Sequence, residues 1–179
     1  MPYATATRYI QHYGLQECAG MLSDEQRLLT PELLTAALAV AGGGAWPGDS
    51  TPEQRAAAAD ALDRLERKLA NASNFMDGYL TAAVTLPVPE AGTHASTLED
   101  CCLALTRSEL ADDADNWTER MGDQADRWIT WLREVASGKV QLIQPGPGGG
   151  TQTGSAFRVR SGQAASGINW ARYPGGSCS

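Results

Sequence analysis

Histidine is nearly absent from this 179-residue chain, which holds only His12 and His94. A serine or cysteine nucleophile needs a base beside it, and neither histidine stands in a recognisable nucleophile setting. The cysteines are Cys18, Cys101, Cys102 and Cys178, with no CxxC pair among them. They read as reduced, small apolar residues rather than a disulfide framework. Two histidines and four scattered cysteines do not supply the three or four ligands zinc needs at useful spacing. No GxxxxGK[ST] phosphate loop occurs, and the GPGGG run at 146–150 follows no strand and opens no helix. No apolar run approaches the ~20 residues that span a bilayer. The opening Met1–Gly14 lacks a basic stretch followed by an apolar one, so no secretory leader and no membrane partner are expected, and synthesis in a cytoplasm is. The expectation is a protein without catalytic residues, metal or cofactor.

What is present is ordinary globular material. Hydrophobic residues make up 42% and charged residues 20% of the chain, enough for one compact domain with an appendage. Net charge is −7. Residues 144–179 contain Arg158, Arg160 and Arg172 and no acid, which leaves −10 on residues 1–143. An acidic body of that size repels phosphate backbones and disfavours a general grip on nucleic acid.

A series of helices is expected before a tail, making an all-α body over residues 1–143. Thr5 or Thr7 caps a short helix through Tyr13 that ends at Gly14. A second runs over 16–22 with Leu15, Cys18, Ala19 and Leu22 on one side, and Ser23-Asp24-Glu25 breaks it. Thr30-Pro31-Glu32 supplies a cap, a first-turn proline and a first-turn acid for a third, with Leu33, Leu34, Ala37, Leu38 and Ala41 apolar. Gly42-Gly43-Gly44 stops it, and 42–50 reads as a flexible connection.

The strongest signal opens at Thr51-Pro52-Glu53-Gln54, a capping box in which threonine hydroxyl and glutamine amide satisfy backbone donors reciprocally. Ala58, Leu62, Leu65, Leu69, Ala72, Met76 and Tyr79 follow at alternating spacings of four and three, one stripe of a helix over 52–80 about 43 Å long. Arg55, Asp63, Arg64, Arg67 and Lys68 fall off that stripe. This helix is expected to be the backbone of a small bundle. Leu86-Pro87-Val88-Pro89 must bend. Ser96-Thr97-Leu98-Glu99 offers a second capping box, opening a helix with Leu98, Cys101, Cys102, Leu105 and Leu110 inward. Asp112, Asp113 and Asp115 end it, without the glycine and terminal glutamate of a calcium loop. The last helix spans 117–136 with Trp117, Met121, Ala125, Trp128, Leu132 and Val135 in line and Trp131 beside them. Glu99 with Asp100, and Asp123 with Asp126, read as solvated faces rather than acid–base pairs.

From Gln144 the composition changes, with nine glycines in 36 residues and no helical period. Residues 144–179 read as an extended arm. Phe157-Arg158-Val159-Arg160 alternates as a short strand would, able to add to the edge of a partner's sheet, and Ile168, Trp170 and Tyr173 are large groups on a stretch with no core of its own. These seven residues are the candidate partner-binding site. Folding back on the chain's own body is the bland alternative.

Met1-Pro2-Tyr3-Ala4-Thr5 before a short helix and Gly14, the Leu22-Ser23-Asp24 break, Met76-Asp77-Gly78-Tyr79-Leu80 closing the long helix, the Leu86-Pro87 bend, and Trp131–Gly138 with Leu142 just after occur in the order found in the neck protein family of Mu-like phages. Residues 1–143 resemble that family. The segment 25–50 is longer than the family's, and no second proline-led helix entry follows Leu86-Pro87. The resemblance implies a structural virion protein made in the bacterial host cytoplasm, a head-to-tail adaptor (connector) in the phage neck. It implies self-association into a ring of about twelve copies below the portal. The arm is then expected to dock on the portal protein or the next neck or tail-completion protein, while DNA passes the channel without specific binding. A stopper or tail-completion protein is the alternative neck role, and a nucleic-acid-binding packaging factor a third reading, disfavoured by the acidic body.

Overall fold

The structure, a computed structural model, describes residues 2–23, 28–86, 88, 94–113 and 116–142. All lie in the first of two units into which the chain divides, Met1–Pro145. The bend at Pro87 and Pro89, Asp115, the boundary at 143/144 and the whole of the expected arm lie outside the described residues.

Among the described residues six helices form and there is no strand. Thr5 caps α1 (Ala6–Tyr13), its hydroxyl accepting from the Arg8 N–H. Gly14 both ends α1 and precedes α2 (Leu15–Leu22) at φ 89°, where a side chain would be strained. Thr30 caps α3 (Pro31–Ala41), with proline in its first turn. The capping box at Thr51 and Gln54 is complete, the threonine hydroxyl accepting at 3.2 Å and the glutamine carbonyl oxygen at 2.9 Å, and opens α4 (Pro52–Leu80). α5 spans Ala95–Asp113 and α6 spans Glu119–Ala136.

α4 packs against every other helix, as expected of the spine. Ala58, Leu62, Leu65, Leu69, Ala72 and Met76 are buried along it, and Leu80 completes the stripe where Tyr79 was expected; Tyr79 is half-buried. Across it lies α5, also in contact with α2 and α6. Leu98, Cys101, Cys102, Leu105 and Leu110 face inward as expected, but so do Leu103, Ala104 and Thr106, so 101–106 is buried on all sides. A helix apolar all round belongs in the middle of a body, and a one-stripe reading underestimates it.

Four expectations are corrected. Leu15 is 37% exposed, because the buried side of α2 is Cys18, Ala19, Met21 and Leu22. Ala41, at the fraying end of α3, is exposed. α5 begins one residue before Ser96, with the Leu98 N–H bonded to the His94 carbonyl at 2.9 Å, so Ser96 is inside the first turn and Glu99 pairs with Arg8 instead of closing a capping box. Trp117 is outside α6 and 51% exposed. Thr118 is the cap, its hydroxyl accepting from the Met121 N–H, and the Trp117 ring folds over Gly122, where an added Cβ would stand 2.4 Å from the indole. The 42–50 connection is also tied down: the Ser50 hydroxyl donates to the Pro47 carbonyl at 2.6 Å and accepts from Arg55 Nε at 2.8 Å.

Leu69 is 1% exposed at the α4–α5 contact. Leu69→Ala is expected to lower the unfolding free energy by about 2–5 kcal/mol, and Leu15→Ala by less than about 1 kcal/mol. Urea unfolding followed by far-ultraviolet circular dichroism checks both, and equal costs would mean α2 is turned the other way.

Candidate functional site

Side chains that fasten α1 and α2 to the α4–α5 pair account for most of the polar chemistry inside the body. The Tyr3 N–H donates to the Ser73 hydroxyl at 3.0 Å, and the Tyr3 phenol donates to Asp77 Oδ1 at 2.5 Å. Ser73 in turn donates to the Leu69 carbonyl at 2.8 Å and lies 3.4 Å from Cys102 Sγ. The segment before α1 is thereby pinned across both long helices. Arg8 grips Glu99 through two bonds of 2.7 and 3.3 Å, joining α1 to α5. Arg107 pairs with Glu17 at 2.6 Å and lies 4.6 Å from the centre of the Tyr13 ring, so α5 holds α1 and α2 together. Arg64 donates to the Leu22 carbonyl at the end of α2.

Cys18, Cys101 and Cys102 are free, buried thiols. Burial pushes Cys18 and Cys101 up to about 12 and raises Cys102, so none is a thiolate near neutrality. His12 is exposed and meets the Tyr13 ring edge-on, with ring centres 4.6 Å apart. Among the described residues no three histidine, cysteine or carboxylate side chains gather as metal ligands would. No helix there is long and apolar enough to cross a membrane.

The surface is more informative. Phe75 is 42% and Trp117 51% exposed, and Trp128 and Trp131, half-buried on α6, meet at right angles with ring centres 5.6 Å apart. Shallow grooves mark the surfaces of both α6 and α4. One lies along the outer side of α6, between Asp123, Asp126, Arg127, Thr130, Trp131 and Glu134. The other lies along α4, between Arg64, Arg67, Lys68, Ala70 and Asn71. Sequence reasoning placed the aromatics of α6 but not Phe75, whose only signal is a large aromatic one residue before a stripe position. The arm residues Phe157, Arg158, Val159, Arg160, Ile168, Trp170 and Tyr173 lie outside the described residues.

In comparison with known proteins, the family model described as Bacteriophage Mu, Gp36 matches residues 3–161. That span takes in the helical body and continues through Phe157, Arg158, Val159 and Arg160, stopping before Ile168, Trp170 and Tyr173. No curated protein matches the chain.

The buried thiols and phenols set a pH dependence. Tyr13 is raised to about 12, and Tyr3 and Tyr9 are raised, chiefly by burial. In the unfolded chain thiols ionise near 8.5 and phenols near 10. Above about pH 8.5 the unfolded state therefore releases protons that the folded state keeps, and stability drops as pH rises. The urea midpoint is expected to fall from pH 7 to pH 10; a midpoint that rises or holds would contradict the buried placement of these groups.

Proposed function

The chain belongs to the family of bacteriophage Mu Gp36, and from that membership we propose that it is a structural virion protein of the phage neck, a head-to-tail adaptor that forms a ring below the portal and joins capsid to tail. The observation that carries this reading is the contrast between a closed interior and the large apolar groups left outside it. The α4–α5 contact is dry, with Leu65, Leu69, Met76, Cys101 and Leu103 at most 1% exposed, yet Phe75, edge-on to Tyr79, is 42% exposed and Trp117, folded over Gly122, is 51% exposed. Aromatic groups outside a completed core are costly unless another molecule covers them, and they are the side chains that anchor interfaces.

Charge fits the same role. A body at −10 repels DNA, so a ring of such bodies lets a genome slide through without sticking. Long helices side by side, one face packed inward and charged faces outward, suit a wedge in a closed ring. The arm, with Phe157, Val159, Ile168, Trp170 and Tyr173 spaced along a glycine-rich chain, reaches a neighbouring neck protein and adds a strand or aromatic anchors there. Its three arginines complement an acidic receiving surface.

Removing residues 144–179 in the phage is expected to leave a folded helical body but heads that do not retain tails, scored by electron microscopy and by loss of infectious titre. Truncated particles that infect at the normal level would overturn the docking role of the arm. Counting subunits in the neck separates the two neck stations: about twelve supports the adaptor, and about six the lower, stopper-like position.

A further inference from the structure

We propose that neighbouring copies of this chain join head to tail through two unlike faces, the outer side of α4 on one copy and the outer side of α6 on the next; this rests on the ring reading above. The α4 face is a basic strip ending in an aromatic. Arg64, the adjacent Arg67 and Lys68, Asn71 and Phe75 lie one helical turn after another and share one side. Arg67, Asn71 and Phe75 are exposed.

The shallow groove along this strip is lined by three cations, Arg64, Arg67 and Lys68, and, among the described residues, by no acid. The ion pairs among the described residues are Arg8 with Glu99, Lys68 with Glu109 and Arg107 with Glu17. Lys68 thus has a carboxylate at 3.8 Å, while Arg64 is held by the neutral Leu22 carbonyl and its buried Nε has no partner among the described residues. Asp60 and Asp63 stand one turn earlier and line the next groove together with Arg64 and Arg67, forming no ion pair with either among the described residues.

The α6 face is its complement. Asp123, Asp126 and Glu134 surround Thr130 and the half-buried Trp131, with Arg127 the one cation lining that groove among the described residues. Acids on one face meet guanidinium groups on the other, and Trp131 offers an aromatic surface to Phe75. Two α4 faces brought together would oppose like charges, as would two α6 faces, and both arrangements are penalised. Contact between unlike faces on different helices propagates around a ring instead of closing as a two-fold pair.

The test uses the full-length protein and two charge-reversed variants, R67E with N71D on α4, and D123R with D126R on α6, each first shown to be folded by circular dichroism. Assembly is read by sedimentation and mass photometry over a concentration series. Wild type is expected to form rings, and each variant alone to associate at least about tenfold more weakly. An equimolar mixture of the variants recovers assembly, because the reversed faces match each other and the untouched faces still match. Rings from either variant alone at wild-type concentration, or folded variants whose mixture stays dissociated, would overturn this interface while leaving the ring in place. Wild type that stays monomeric at every concentration would overturn the ring and the interface together.

Discussion

Between Cys101 and Thr106 no side of α5 can be wetted, and the rest of the body is arranged to keep that segment dry. Six consecutive residues with at most 6% exposure require neighbours on every side. α4 covers one side with Leu65, Leu69, Ala72 and Met76, while α6 and α2 contact others. Each fully buried leucine in this contact stabilises the fold by roughly 1.5–3 kcal/mol relative to leaving it in water. The polar groups follow from the same requirement. Ser73 interrupts the apolar stripe of α4 at 3% exposure, where it holds the Tyr3 N–H and the Leu69 carbonyl beside Cys102. The Arg8–Glu99 and Arg107–Glu17 pairs then hold α1 and α2 down as a lid over the same helix.

What could be read from the amino acids depended on the range of the signal. The capping box at Thr51 and Gln54 is complete in four residues, and the caps at Thr5 and Thr30 are equally local. The stripe of α4 was legible almost to its end. Spacings alternating between four and three average 3.5 residues per turn, whereas a straight helix has 3.6, a drift of about 20° per heptad. Over the three heptads from Ala58 the expected position rotates off the core, which is why Leu80, not Tyr79, is fully buried. The all-round burial of α5 has no period to detect. Arg8 and Glu99 are 91 residues apart, and Trp117 folding onto Gly122 depends on a cap that competes with the apolar pattern, so neither leaves a local trace.

The candidate site divides in the same way. The composition change at Gln144 is the whole basis for expecting an arm, since loss of helical period with nine glycines in 36 residues is a property of the string itself and those residues lie outside the described ones. The faces on α4 and α6 required the fold, because charge on a helix has meaning for a partner only after its inner side is known. Arg64, Arg67 and Lys68 were visible as residues off a stripe; that Arg64 is spent on a backbone carbonyl while Lys68 has a carboxylate was not.

Family membership and surface chemistry constrain each other. The family match covers the body and part of the glycine-rich tail. A body that is acidic in total but basic along α4 has a directional surface, and directionality is what a ring needs, since subunits must prefer the next copy to a mirror arrangement of the same faces.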